Sequence, residues 1–96
     1  MAEHEAQDGM FRALADPTRR AILRALAAGP LSAGELADRF DITKASMSHH
    51  FKQLSAAGLV RRERRGQQII YALNTSVVED AARILLDIFP RRGRSR

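Results

Sequence analysis

Between residues 43 and 65 the sequence gathers side chains that could bind a polyanion. Six basic residues and one acid, Glu63, lie in this segment, and their net charge of +5 equals the formal net charge of the whole 96-residue chain. Such a cluster favours nucleic acid as the partner, although a charge run can also be only a solvated surface. The basic residues of the segment are Lys44, Lys52, Arg61, Arg62, Arg64 and Arg65.

The first half of this segment has the pattern of a helix with two different faces. At about 100° per residue, Met47, Phe51 and Leu54 share one side, and His50 lies at its margin. The other side carries small or hydrogen-bonding residues, and no acid occurs in residues 42–57, which is unusual for a solvated face. Such a face suits insertion into the DNA major groove. We therefore predict that a recognition helix contacts DNA through Thr43, Lys44, Ala45, Ser46, Ser48, His49 and Lys52.

A basic hairpin is predicted directly after this helix. Gly58 ends the helix, and residues 59–73 alternate as two strands around the turn at residues 65–67. The arginines of the first strand favour a wing that contacts phosphates or the minor groove, and a charged edge that only resists aggregation is the alternative. The predicted wing contacts are Arg61, Arg62, Arg64, Arg65 and Gln67.

Two helices are predicted before the recognition unit. The first is short, begins at Met10 and ends before Asp16, because the residue before a proline avoids the helical region. Asp16 then caps the second helix, with Pro17 at the first helical position.

Capping signals also place the helix that precedes the recognition helix. Ser32 and Glu35 have the spacing of a capping box, and the apolar pattern of this third helix continues to Phe40. Thr43 caps the fourth helix, so only two residues separate Phe40 from the next start. This spacing predicts a tight helix-turn-helix.

The last predicted helix, from Thr75 or Ser76 to Phe89, carries two neighbouring apolar stripes. One small domain cannot bury so wide an apolar arc on one side, so we expect a second copy of the chain to pack against it and against the first helix. A helix buried entirely within its own chain is the alternative. The predicted homodimer interface consists of Met10, Phe11, Leu14, Val77, Val78, Ala81, Ile84, Leu85 and Ile88.

These elements fit a single domain, because 96 residues leave no room for two. We predict a folded unit at residues 10–89, between a flexible acidic tail at residues 1–9 and a flexible Arg-rich tail at residues 90–96. The predicted fold class is mainly α with a small β-hairpin, a winged helix-turn-helix with the element order ααααββα.

Several function classes are excluded by residues that the sequence does not contain. The absence of cysteine rules out disulfides, thiol chemistry and thiolate metal sites, and no apolar run approaches the roughly 18 residues of a membrane span. The adjacent His49 and His50 diverge by about 100° on a helix and cannot converge on one metal. We therefore predict a cytoplasmic protein that is not an enzyme, takes no cofactor or metal and does not insert into membranes.

Four motifs occur in order along the chain: ADPTRRAIL at residues 15–23, LSAGELA at 31–37, SMSHHF at 46–51 and AGLV at 57–60. Together they resemble the ArsR/SmtB family of bacterial winged-helix repressors, over about residues 10–89. The pair His49-His50, the turn at residues 65–67 and the segment YALNT at residues 71–75 are most similar to the SdpR-like autorepressor subgroup.

The resemblance implies a sequence-specific repressor that acts as a homodimer on a palindromic operator in double-stranded DNA. It also implies autoregulation, with control by the amount of protein or by a protein that sequesters it. The family's thiolate metal site would lie at residues 35–38, which hold Glu, Leu, Ala and Asp here, so we expect no metal sensing. Two alternatives stay open: a module that binds another protein through its Arg tail, and a metal-responsive repressor with a carboxylate site on the last helix at Glu79, Asp80 and Asp87.

Overall fold

Within residues 2–89, the part of the chain that the computed structural model describes, the fold contains five helices and a small antiparallel sheet. Side chains are described from Asp8 onward. The elements are α1 (Ala2–Leu14), α2 (Pro17–Leu26), β1 (Leu31–Ser32), α3 (Ala33–Asp38), α4 (Lys44–Ala56), β2 (Val60–Arg65), β3 (Gln68–Leu73) and α5 (Thr75–Ile88). The predicted winged helix-turn-helix class is confirmed, and the Arg-rich segment from residue 90 onward lies outside the described residues.

The sheet contains a strand that the sequence did not predict. Two residues, Leu31 and Ser32, form β1 and pair with Tyr71 and Ile70 of β3, so the strand order is β1-β3-β2. Ser32 also caps α3, as predicted: its hydroxyl accepts from the backbone N–H of Glu35, and the Glu35 carboxylate accepts from the backbone N–H of Ser32. The strand and the cap together fix the start of α3 against the hairpin.

Two predicted helix boundaries are wrong. The first helix begins at Ala2 instead of Met10, because the preceding Ala, Glu and Gln residues are good helix formers and acids suit a helix N-terminus. The third helix ends at Asp38, two residues before Phe40, because the backbone N–H groups of Arg39 and Phe40 donate to carbonyls three residues back and tighten the last turn.

The core lies where α2, α3, α4 and the sheet meet. Its largest fully buried side chains are Ile22, Leu36, Leu54 and Leu59, one from each of three helices and one from the start of the hairpin. Burial of each such side chain contributes about 1.5–3 kcal/mol to folding. This core holds α4 and the hairpin in one rigid arrangement. In the described part of the chain, no helix is both long enough and apolar enough to cross a membrane.

Candidate nucleic-acid interface

Helix α4 places its two faces as the sequence predicted. Its start is fixed by Thr43, whose Oγ1 accepts from the backbone N–H of Ser46 at 3.1 Å. Met47, Phe51 and Leu54 are buried, and so is His50, which the sequence placed at the margin. Of the predicted recognition residues, Ser46 is half-buried, and the others are exposed: Thr43, Lys44, Ala45, Ser48, His49 and Lys52.

The C-terminus of α4 is closed by a Schellman motif. Gly58 takes a φ of 77°, its N–H donates to the carbonyl of Ser55, and the N–H of Leu59 donates to the carbonyl of Leu54. A left-handed residue is required here, which explains the glycine. The motif turns the chain directly into β2, so the hairpin starts beside the end of the recognition helix.

The hairpin has a two-residue turn. Arg65 pairs with Gln68, and Gly66 between them has a φ of 61°. In the described part of the chain, only glycines have a positive φ, so Gln67 at the second turn position does not. A type II′ turn requires a positive φ at its first central position only, where glycine is favoured, and its twist matches that of antiparallel strands.

The wing arginines divide between the two faces of β2. Successive side chains alternate, so Arg62 and Arg64 lie on the face of the buried Val60, opposite Tyr71 and Ile69 of β3. Arg61 and Arg65 lie on the other face together with Glu63, and the Arg65 guanidinium is 3.3 Å from the Glu63 carboxylate. All five predicted wing contacts are exposed. The arginines differ in their surroundings, because Glu63 offsets positive charge only on the face of Arg61 and Arg65.

Behind the recognition helix, a polar cluster joins three helices. Asp16 caps α2, its carboxylate accepting from the backbone N–H of Arg19 at 3.0 Å. Arg19 in turn donates to the carbonyls of Ala13 at 2.8 Å and Arg12 at 3.2 Å, which ties the end of α1 to α2. The guanidinium also reaches the buried His50 of α4. The sequence pattern does not predict this connection, because Asp16 and His50 belong to separate elements.

The Asp16 carboxylate is electrostatically supported in its charged form. The backbone N–H of Arg19 lowers the pKa of Asp16 below its ordinary value, and the Arg19 guanidinium acts in the same direction, against an opposing desolvation. The Asp16 carboxylate lies 3.8 Å from Nδ1 of His50, which is longer than a hydrogen bond. The cap, not an ion pair, is therefore the main cause of the shift.

The residues predicted for a dimer interface fall into three groups. Met10 and Ala81 are each only 5% exposed and belong to the core of the single chain. Leu85 and Ile88 are 44% and 58% exposed, which leaves large apolar surfaces on α5 in contact with solvent. The others are half-buried against the core: Phe11, Leu14, Val77, Val78 and Ile84.

The predicted dimer interface did not include two exposed apolar residues at the end of this surface. Leu86 is 51% exposed and Phe89 is 69% exposed, the highest value among the large apolar residues described. The apolar pattern of the sequence does indicate Phe89, because this residue extends the stripe of Val78, Ala82 and Leu85 by one helical turn.

The acidic residues of α5 do not assemble into a metal site within one described chain. No group of three or more His, Cys, Asp or Glu side chains suited to a metal ion occurs among the described residues. Of the three carboxylates singled out from the sequence, Asp80 accepts from Arg83 at 2.9 Å.

Comparison with known proteins gives concordant matches. A family model described as a helix-turn-helix domain matches residues 14–63. The transcriptional repressor SdpR of Bacillus subtilis is 42% identical over 80 residues, covering 83% of this chain and 89% of that protein. The HTH-type transcriptional regulator Rv2034 of Mycobacterium tuberculosis is 39% identical over 93 residues, covering 97% of this chain and 86% of that protein. A solved structure, the ArsR-like transcriptional regulator from Rhodococcus sp. RHA1, is similar at a TM-score of 0.80 with 31% identity, covering 92% and 83% of the two chains.

Proposed function

The chain belongs to the ArsR/SmtB family of DNA-binding transcriptional repressors, and we propose that it acts as a homodimer on a palindromic operator. The observation that carries this proposal is the exposed, acid-free face of α4 beside an arginine-rich hairpin. A helix of this kind fits the major groove, while guanidinium groups beside it neutralise backbone phosphates.

Roles follow from the chemistry of the exposed groups. Ser48 and His49 can hydrogen-bond to base edges, so we assign sequence discrimination to them. We assign the arginines of β2 to backbone phosphates, where they would contribute affinity and salt dependence. The remaining proposed DNA contacts are Gln67 at the hairpin turn and five residues of α4 and its N-cap: Thr43, Lys44, Ala45, Ser46 and Lys52.

Dimerisation is supported by the exposed apolar surface of α5. Large apolar side chains are exposed to water at the C-terminal end of α5, and pairing with a second copy would cover them: Leu85, Leu86, Ile88 and Phe89. The half-buried Phe11 and Leu14 of α1 are further candidates for this interface. A two-fold dimer then presents two recognition helices to two half-sites.

We further propose that the repressor acts on its own promoter and does not sense metal. The resemblance to the autorepressor subgroup supports autoregulation, and a protein that sequesters the dimer is the partner that such control would use. Against metal sensing stand the absence of cysteine from the sequence and the engagement of Asp80 by Arg83.

A footprinting experiment tests the proposed function. The purified protein is applied to DNA from upstream of its own gene and to an unrelated fragment of the same length and base composition. We expect protection of two half-sites related by two-fold symmetry. Their centres should lie one or two helical turns of DNA apart, at about 34–36 Å per turn. Equal protection of both fragments, or none of either, would contradict the proposal.

A further inference from the structure

A cleft with a volume of about 460 Å³ separates the recognition helix from the wing. One of its walls is aromatic, since the rings of Phe51 and Tyr71 stack with their centroids 4.4 Å apart. Stacked, buried rings form a rigid apolar surface. The aromatic wall of the cleft is therefore preformed, whereas the exposed side chains of Lys52 and Arg62 line its open side.

The polar side of the cleft is positively charged. Lys52 of α4 and Arg62 of β2 line it, and none of the described residues that line it is a carboxylate. Glu63, the nearest acid along the strand, lies on the opposite face of β2 and is bound by Arg65. Two cations without a facing acid favour an anionic occupant.

The cleft also contains a hydroxyl group that lacks a hydrogen-bond partner. The Oγ of Ser55 is buried and bonds to no atom of the described residues. Burying a hydroxyl without a partner is unfavourable, and buried polar groups in folded proteins are nearly always satisfied. A hydroxyl donates well to a negatively charged oxygen, and the hydroxyl of Ser48 lines the same cleft.

We propose that this cleft binds the phosphate group of a small phosphate monoester, held by Lys52, Arg62 and the Ser55 hydroxyl, which reaches the phosphate by rotation about its χ1 bond and loses no hydrogen bond in doing so. The phosphate oxygens accept from the two cations and from Ser55, while the apolar body of the ester packs on the wall formed by Phe51 and Tyr71. A phosphate group supplies several charged acceptors in one small volume, which matches two cations and two hydroxyls better than a single carboxylate does.

Occupation of the cleft would oppose DNA binding, and this part of the inference rests on the proposed function. Ser48 and Lys52 belong both to the cleft and to the exposed face assigned to DNA, and Arg62 belongs to the wing. A bound ester would neutralise these groups and occupy the space beside the major groove. The free ester therefore competes with a backbone phosphate of the operator.

Binding is tested first on the full chain without DNA, at constant ionic strength. Phenyl phosphate and inorganic phosphate are titrated by calorimetry and by amide chemical shifts. We expect saturable binding of both at one site per chain, tighter for phenyl phosphate because its ring reaches the aromatic wall. The Ser55→Ala variant should bind about tenfold more weakly, since it cannot donate a hydrogen bond to the charged phosphate. Its melting temperature should equal or exceed that of the parent protein, because an unsatisfied hydroxyl has been removed.

A matched charge variant separates a built site from general attraction. Arg24 on α2 is exposed and lies outside the cleft, so Arg24→Gln removes the same charge as Lys52→Gln. Only Lys52→Gln should weaken phenyl phosphate binding. No saturable binding, or an equal loss in both variants, would overturn the proposal.

Competition is tested second, with operator DNA and increasing phenyl phosphate. Displacement of the DNA, reduced in the Ser55→Ala variant, is the expected result. If phenyl phosphate binds but does not displace DNA, the competitive role is wrong. A protein that binds phenyl phosphate but no DNA would refute the proposed function and leave the phosphate site standing. If DNA binding depends on Ser55 while neither free phosphate binds, the cleft serves the DNA backbone alone and the small-molecule site is refuted.

Discussion

The Nη1 atom of Arg19 lies 3.3 Å from Nδ1 of His50, so a residue near the start of α2 contacts the buried side of the recognition helix α4. A guanidinium has only donors, so a hydrogen bond here requires Nδ1 to accept and the ring proton to reside on Nε2. The same guanidinium binds two carbonyls at the end of α1. One side chain thus fixes the mutual orientation of three helices.

Replacing Arg19 by lysine should therefore loosen the recognition helix while preserving the charge. Lysine cannot reproduce the planar fork that reaches Ala13, Arg12 and His50 together, so we expect a loss of about 1–3 kcal/mol in the free energy of unfolding. Urea denaturation measures this loss. Arg24→Lys, at an exposed position, is the control and should change stability by less than about 0.5 kcal/mol. An Arg19→Lys protein as stable as this control would show that the cluster is not important for stability.

The free energy of unfolding should also depend on pH, because Asp16 titrates at a different pH in the folded and unfolded states. Since its pKa is lowered in the folded state, the carboxylate contributes stability above its unfolded pKa, near 3.8, and this contribution is lost as pH falls through the lower folded pKa. Asparagine keeps the N-cap but cannot titrate. Thermal melts between pH 2 and 7 should show Asp16→Asn less stable than the parent protein at neutral pH, with the difference shrinking as the pH falls below the unfolded pKa. A difference independent of pH would contradict this assignment.

A charge on the apolar surface of α5 should separate the proposed dimer. Leu85→Glu and Phe89→Glu alter exposed side chains, so the single chain should still fold, whereas a buried carboxylate at the interface is strongly unfavourable. Light scattering should give about twice the 10.7 kDa chain mass for the parent protein and the single-chain mass for the variants. Glu79→Gln, an exposed change on the same helix, should stay dimeric. A parent protein with the mass of one chain at high concentration would remove the basis for the two-half-site operator.

Two classes of DNA-binding variant should be distinguishable. Ser48→Ala and His49→Ala should cost about 1–3 kcal/mol on the operator and relax discrimination at particular base pairs. Arg62→Ala and Arg64→Ala should weaken binding to operator and random DNA alike, and reduce the salt dependence by about one unit for each phosphate that the variant no longer neutralises. Affinities measured at several salt concentrations separate the two. A change of sequence preference in the arginine variants, with an unaltered salt slope, would reverse the assignment.

Arg61 offers a comparison within the wing. It shares its face of β2 with Glu63, whereas Arg62 and Arg64 do not. Because a neighbouring acid reduces the local potential, Arg61→Ala should reduce the salt dependence less than Arg62→Ala does. An equal reduction would show that Glu63 does not weaken the phosphate contact of Arg61.

Operator binding should be indifferent to metal. Tight zinc binding needs about four well-placed ligands and favours thiolate or imidazole donors, and α5 offers only carboxylates. Operator affinity is compared in micromolar zinc, nickel or manganese and in chelator. A change greater than about tenfold, which is roughly 1.4 kcal/mol of coupling, would establish a metal switch and favour the alternative carboxylate site.

The sequence by itself determined the local features of this protein. Asp16, Ser32 and Thr43 cap helices because their side chains accept from backbone N–H groups three residues away. Such a cap involves residues of a single helical turn, so the local sequence is enough to predict it. Gly58 and Gly66 likewise mark positions that need a positive φ. The two faces of α4 followed from helical periodicity. The winged helix-turn-helix class and the exposed face of α4 could therefore be derived without coordinates.

Only the tertiary structure decided which distant residues meet. The strand β1 has two residues and exists because β3 pairs with it, so no local pattern could predict it. Met10 and Ala81 carry the same apolar signal as Leu85, yet packing buries them in the single chain and leaves Leu85 in solvent. The contact between Arg19 and His50, and the cleft around Ser55, join residues from separate elements. Such contacts depend on how helices and strands pack in three dimensions, and periodicity along one element contains no information about the element that lies against it.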